Sequence, residues 1–410
     1  MAIRTRCIRP YDYEDIRLFV PREGYEEILD VLRLFLDDRG GKRRRLMVYG
    51  ERGVGKSITV RAAIHELWTQ RKDFFPVIVR GEGLNSVKEL LCALAEELSK
   101  QVNELFPKDK DLLKETSYLK QLIRSDEITR GTFFKWGSEI ESGVHEDFGL
   151  LGFIKLTLGI RGTISEEAMR EETSKITIDN RFRLQLLESM LEAIGKRRGK
   201  EPLVFVDNLD QLGEEDPKVV RQLLRALMSL DTIAIVTTVR SEFVSVDISR
   251  EHRTPIRLEE LKREQLMEIL ERRLQIDCRE SRELREAGIL DLSQELTRKT
   301  GNPLAFLCWL EYLCNKQDLR VDRCWDNLKG YVLTLYGIRA ENVEHVAKWF
   351  FSTKEPEAKA TTLISEVGLD ESEVKFLEEH YVLVPDDVTR SFESKHYHLS
   401  PLLMFLKPLE

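Results

Sequence analysis

The sequence is short of the features that would set a protein in a membrane or in an oxidising compartment. Its six cysteines, Cys7, Cys92, Cys278, Cys308, Cys314 and Cys324, form no CxxC pair and no metal-ligand spacing. Reduced thiols are expected, rather than a disulfide framework or a zinc site. No apolar run is long enough to cross a bilayer, and no apolar leader opens the chain. The expectation is therefore a cytoplasmic protein without a membrane partner. A basic excess is also missing: the net charge of -8 provides no global field that would draw the chain to nucleic acid. Repeats and low-complexity tracts are absent too. What is present is a 410-residue chain with 42% hydrophobic and 33% charged residues. That balance suits two or three folded domains with substantial cores.

Apolar periodicity separates the chain into an alternating part and an all-helical part. Ile28, Val31, Leu32 and Phe35 recur at helical spacing, predicting an amphipathic helix. Short apolar runs at 46–49, 77–79, 203–206 and 233–236 are separated by helical patterns, which predicts a parallel, doubly wound α/β sheet. Lys42-Arg43-Arg44-Arg45 precedes the first run, and two readings stay open for it: a phosphate-binding patch or a solvated loop. An irregular insert, about 101–180, carries an expected β-hairpin at 152–164. Residues from about 258 to 335 read as helices throughout. Beyond 340 the pattern is three short helices and a hairpin.

Gly50-Glu51-Arg52-Gly53-Val54-Gly55-Lys56-Ser57 fits G-x-x-x-x-G-K-[ST] between a predicted strand and a predicted helix. The glycines let the backbone curl so that its N–H groups face a β-phosphate at a helix N-terminus. Lys56 then neutralises β- and γ-phosphate charge, and the Ser57 hydroxyl ligates Mg²⁺. The chemistry expected is ATP binding with Mg²⁺, Gly50, Arg52, Gly53, Val54, Gly55 and Ile58 contributing to the nucleotide site. Leu203-Val204-Phe205-Val206-Asp207 ends an apolar strand in an acid suited to the same metal ion. Residue 208 is Asn, so Asp210 is the best remaining catalytic base or water-orienting group, with an N-capping role equally open to it, and Glu214 and Glu215 are weaker candidates. The strand ending Thr237-Thr238-Val239-Arg240 offers a hydroxyl and a guanidinium to the γ-phosphate or the attacking water, Thr237 and Thr238 both being candidates.

Together these pieces resemble the AAA+/STAND branch of P-loop ATPases and, more distantly, archaeal initiator-type ATPases. Phe19-Val20-Pro21-Arg22-Glu23 is similar to the family's F-V-G-R-E lead-in, with Pro where Gly is usual, and Thr300-Gly301-Asn302-Pro303-Leu304-Ala305 to its G-x-P-L-A element. The resemblance implies that Val20 and Arg22 border the adenine pocket, that Pro303 packs on the nucleotide, and that His398 contacts ADP in a closed state. A locally hydrogen-bonded strand histidine is the alternative for His398. It further implies an additional-strand (ASCE) P-loop sheet over residues 1–255, an all-α lid over 256–337 and a C-terminal winged helix over 338–410. Leu304 stands where motor-type relatives carry Arg, which favours a slowly hydrolysing switch over a processive machine.

The third helix of the expected winged helix is acidic: Asp370, Glu371, Glu373, Glu378 and Glu379 face a single Lys375. Such a helix repels a phosphate backbone. The module is therefore read as regulatory or protein-docking, with ATP-dependent self-association or a protein partner bound through this module or the insert. DNA is the less favoured partner, and two alternatives to the switch stay open: a DNA-associated ATPase or loader, supported by the winged-helix pattern and the basic run at 42–45, and a non-hydrolysing nucleotide-binding scaffold. Arg221, Arg225 and Arg250 are candidate arginine fingers for a neighbouring subunit.

Overall fold

The computed structural model describes residues 15–38, 44–129, 132, 175–209, 217–244, 254–276, 281–316, 319–336, 340–353, 355–388 and 390–406. Five parallel strands form the central sheet: β1 (Arg45–Gly50), β2 (Phe74–Arg80), β5 (Glu201–Asp207), β6 (Ala234–Arg240) and β7 (Thr254–Arg257), in the order β2-β5-β6-β1-β7. A strand, β6, thus separates the phosphate-loop strand from the acid-ending strand, the order of an additional-strand P-loop sheet. The strands are buried on both faces, and their side chains alternate. Met47, Val204, Val206 and Ile235 join a core on one side, while Leu46, Val48, Leu203, Phe205 and Val236 join another on the opposite side.

Helices α1 (Tyr25–Asp37) and α2 (Lys56–Gln70) cover the second face, with Ile28, Leu32 and Phe35 buried as the helical spacing predicts. Helices α3 (Val87–Leu105), α4 (Lys110–Arg124), α5 (Asn180–Arg198) and α6 (Pro217–Met228) supply the first. An antiparallel pair, β3 (Glu127–Thr129) with β4 (Lys175–Thr177), lies within the insert, after α4; the hairpin expected at 152–164 lies outside the described residues.

Two expectations need correction. β7 was not predicted: it has four residues, Thr-Pro-Ile-Arg, and its proline is tolerated because the strand is at the sheet edge. The described end of the basic run is neither a phosphate patch nor a solvated loop. Arg44 is fully buried and donates to the Phe35 carbonyl (2.8 Å), to Glu201 Oε1 (2.5 Å) and to the Thr232 carbonyl (2.5 Å). Arg45 donates to Asp231 Oδ1 at 2.8 Å and to the Met228 carbonyl. Both clamp the amino edge of the sheet, because buried cations need partners.

The remaining chain is helical: α7 (Arg263–Ile276), α8 (Ser281–Glu286), α9 (Ile289–Leu296), α10 (Pro303–Asn315), α11 (Cys324–Tyr336) and α12 (Ala340–Thr353). A short turn (Ala360–Thr362), a π-helical segment (Leu363–Val367) and α13 (Glu371–Glu379) follow. Asp370 caps α13 through a capping box with Glu373. A three-stranded antiparallel sheet closes the chain, β8 (Ala358–Lys359), β10 (His396–Leu399) and β9 (Leu383–Pro385) in that order. One apolar cluster runs from Leu261 to Phe405, so the lid helices and the C-terminal elements share a core. Trp309 is at its centre, its indole N–H donating to the Leu402 carbonyl at 3.0 Å. Among the described residues no helix is long and apolar enough to cross a membrane.

Candidate nucleotide site

β1 runs directly into the Gly-rich loop, and α2 starts at Lys56. Gly55, in the left-handed region at φ +98°, precedes α2 as its N-cap. Gly53, at φ +81°, is required for a second reason: a Cβ there would lie 2.3 Å from Leu304 Cβ of the lid. Lys56 is buried, and its ammonium donates to the carbonyls of Gly50 (2.9 Å) and Glu51 (2.8 Å). The cation is thereby aimed across the concave side of the loop. Gly50 contributes through this carbonyl and is not part of the cavity wall.

Asp207, fully buried at the carboxyl end of β5, is the hub of the polar network. Its Oδ1 accepts from Ser57 Oγ at 2.6 Å and from Thr238 Oγ1 at 2.7 Å, while its Oδ2 lies 3.5 Å from an Arg61 guanidinium nitrogen. Thr238 Oγ1 also accepts from the Asn208 N–H at 2.8 Å. Of the two strand-end threonines, Thr238 is thus the one joined to the acid, and it orients Asp207 rather than lining the cavity. Asn208 lines the cavity in a left-handed conformation (φ +52°), with its side-chain oxygen 3.3 Å from Ser57 Oγ. Asp210, Glu214, Glu215 and Arg250 lie outside the described residues.

A single cavity is lined by the lead-in segment, the phosphate loop, β6 and the lid. Val20, Arg22, Arg52 to Ile58, Arg240 and Pro303 all border it. The lid is tied to the loop backbone: Asn302 Nδ2 donates to the Arg52 carbonyl at 2.8 Å, and the Leu304 N–H donates to the Gly53 carbonyl at 3.3 Å. It also grips the lead-in. Gln265 Nε2 donates to the Pro21 carbonyl at 2.9 Å, and Arg272 donates to the Phe19 carbonyl. Arg22 spans the gap by donating to the carbonyls of Val54 and Glu259. Burial pushes its pKa down to about 10, with Glu259 opposing the shift. Arg240 is buried, its Nε 3.4 Å from Glu242 Oε1.

Sequence reasoning missed residues of both the cavity wall and the lid contact. Arg273 is buried and borders the cavity from α7. It follows Leu266 and Leu270 at helical spacing, so an arginine on the apolar face was the available signal. Asn302 lay unweighed between Gly301 and Pro303, although its side chain caps α10 by accepting from the N–H groups of Leu304 and Ala305. His398 is the reverse case. It lines a second cavity with Glu51, Glu242, Arg257 and Asp386, not the one at the phosphate loop. Burial lowers its pKa, Glu242 opposing.

The AAA ATPase domain model matches residues 24–236, just over half of the sequence, from α1 into the start of β6. The chain belongs to the AAA ATPase domain family. Nucleotide use, with Mg²⁺ the usual companion, follows for this AAA ATPase at the level of the family. No curated protein matches its sequence. Among solved structures, the Aeropyrum pernix ORC2 protein in ADPNP–ADP complexes is similar over 97% of this chain and 94% of its own, at 11% identity and a TM-score of 0.46. The Aeropyrum pernix ORC1 protein in complex with DNA is similar over 98% and 96%, at 13% identity and 0.45. The Thermotoga maritima RuvB Holliday junction branch migration motor is similar over 92% of each chain, at 9% identity and 0.38. These likenesses are too distant to carry a functional argument.

Proposed function

We propose that this AAA ATPase is a nucleotide-controlled switch of the STAND type, in which ATP with Mg²⁺ bridges the sheet and the lid and governs self-association or partner engagement. The observation that carries this reading is the shared cavity, walled at once by the phosphate loop, Arg240 and the lid residues Pro303 and Leu304. A ligand touching both parts biases their arrangement through contacts that differ between states. In this reading residues 1–255 hold the nucleotide, 256–337 form the lid and 338–410 form a winged helix. Lys56 neutralises the β- and γ-phosphates. Arg240 reports the γ-phosphate, Thr238 holds the acid in place, and the base packs near Val20.

The donor set suits a hard divalent cation. Ser57 Oγ and a buried Asp207 carboxylate share a hydrogen bond, and both are oxygen ligands of the kind magnesium accepts. When bound, the metal would neutralise charge on the phosphate oxygens. The remaining chemistry belongs to the chain: Lys56 and the loop amides hold the phosphates, and Asn208 lines the cavity beside Ser57 with an uncharged amide that cannot take a proton from water. Slow basal turnover that rises on assembly is the expected behaviour, with Arg221 or Arg225 on α6 supplying a cation to a neighbour.

Of the basic run that could offer DNA a contact, Arg44 and Arg45 are committed to buried contacts, which lends DNA engagement no support; Lys42 and Arg43 lie outside the described residues. The deciding experiment is a mass measurement in solution with ADP, with ATP and with a non-hydrolysable analogue. A larger species in the ATP and analogue samples is expected. The same mass in all three overturns the switch.

A further inference from the structure

Two guanidinium groups that border the phosphate cavity, those of Arg52 and Arg240, converge on one aromatic ring from the far end of the chain. The Arg52 guanidinium carbon lies 5.0 Å from the centroid of Tyr381, and that of Arg240 lies 6.0 Å from it. Tyr381 follows α13 at the point where the chain turns sharply, its N–H donating to the Glu378 carbonyl at 2.9 Å. Its backbone is in the left-handed region, φ +55°, which an aromatic residue adopts at a cost that the surroundings must offset. Burial keeps the phenol far above its usual pKa, so the ring meets both cations as a neutral π-face. A second tie lies alongside: the Val388 N–H, between β9 and β10, donates to the Glu242 carbonyl at 3.0 Å, and the Glu242 side chain is the partner of Arg240.

We propose that Tyr381 is a positioning residue for Arg52 and Arg240, and that the docked C-terminal elements and the γ-phosphate of a bound nucleotide compete for these two cations. The inference rests on the nucleotide reading above and adds to it the contact by which the C-terminal elements sense the third phosphate. Arg52 is the junction. Its backbone carbonyl accepts from Asn302 of the lid, and its side chain stacks on Tyr381. Charge-assisted hydrogen bonds from arginine to phosphate are stronger than stacking on a neutral ring. A triphosphate therefore draws the guanidinium groups off Tyr381, whereas a diphosphate, lacking the third group, leaves them there. With the ring unpaired, one of the contacts that offset the cost of its backbone conformation is lost, and the Val388 tie loosens with it.

The test compares nucleotide affinities in the full chain. Dissociation constants for ADP and for a non-hydrolysable ATP analogue are measured by titration in the parent, in Tyr381→Leu and in Tyr381→Phe. Removing the ring should tighten the analogue about tenfold relative to ADP, and Tyr381→Phe, which keeps the ring, should restore the parental ratio. An unchanged ratio in Tyr381→Leu, or equal weakening of both nucleotides, overturns the proposal. If Tyr381→Leu does not fold, hydrogen exchange on the parent decides instead. The Val388 amide should exchange at least tenfold faster with the analogue than with ADP, and equal protection overturns the proposal. A parent that binds neither nucleotide defeats the nucleotide reading itself. A parent that binds both with no shift in ratio or exchange defeats only the latch.

Discussion

Ser57 and Asp207, 150 residues apart in the chain, are joined by a 2.6 Å hydrogen bond from Ser57 Oγ to Asp207 Oδ1. The bond unites the end of the phosphate loop with the end of β5, and it does so because β6 holds the two strands in fixed register. Asp207→Asn should leave nucleotide binding in the presence of a chelator nearly unchanged while abolishing its enhancement by magnesium. Fluorescent-nucleotide titrations with and without magnesium measure this. Full magnesium enhancement in the variant would show that the carboxylate does not hold the metal.

Lys56 carries the largest single expected effect. Its ammonium spans two loop carbonyls at 2.9 and 2.8 Å and is almost wholly withdrawn from solvent. Hydrogen bonds to charged groups contribute roughly 1.5–3 kcal/mol each. With the ammonium gone from the phosphates, Lys56→Ala should weaken ATP by on the order of 100-fold or more, seen by calorimetric titration, and loss of the two carbonyl bonds should also lower the thermal melt of the unliganded chain. Parental affinity in this variant would remove the phosphate loop from the site.

The phosphate loop, the acid-ending strand and the α1 face were legible because each is a contiguous pattern: a glycine spacing, an apolar run closed by an acid, a helical stripe. What stayed hidden depends on partners far along the chain. Asn302 finds the Arg52 carbonyl 250 residues away, and Arg44 finds Glu201 across 157. No local pattern encodes such pairs, so Arg44 and Arg45, in a run read as a phosphate patch or a solvated loop, proved to be a buried clamp. β7 escaped for the opposite reason, being too short and proline-bearing to register as a strand. His398 was placed by analogy alone, and the path of its strand takes it to another cavity.

Asn302 performs two tasks that substitution can separate. Its Oδ1 accepts from the N–H groups of Leu304 and Ala305, capping α10, and its Nδ2 reaches the Arg52 carbonyl. Asn302→Asp keeps the cap and loses the donor, whereas Asn302→Ala loses both. The alanine variant should lose about 1–2 kcal/mol of stability, read from denaturant melts, and the aspartate variant much less. Nucleotide affinity should fall several-fold in both, because the lid no longer holds the loop backbone. If the aspartate variant binds nucleotide as the parent does, the lid contact has no part in binding.

Glu115, on α4, gives the fold a pH dependence of its own. Burial raises its pKa to about 7 from the ordinary 4.5; Arg197 opposes the shift and Asp111 adds to it. The Arg197 guanidinium stands 3.8 Å from Glu115 Oε1 and is shared with Asp109 and Asp111. The folded chain thus holds this proton more tightly than the unfolded one, so the protonated side chain favours folding at low pH. That advantage begins to fall as pH rises past the unfolded value of 4.5 and is gone once pH has passed through about 7. Glu115→Gln removes the buried charge without changing the shape of the side chain. Its stability relative to the parent should therefore rise between pH 5 and pH 8, by roughly 3 kcal/mol at most given 1.36 kcal/mol per pKa unit. Urea melts at the two pH values decide the matter: a stability difference that is the same at pH 5 and pH 8 would mean that Glu115 is ionised in the fold throughout.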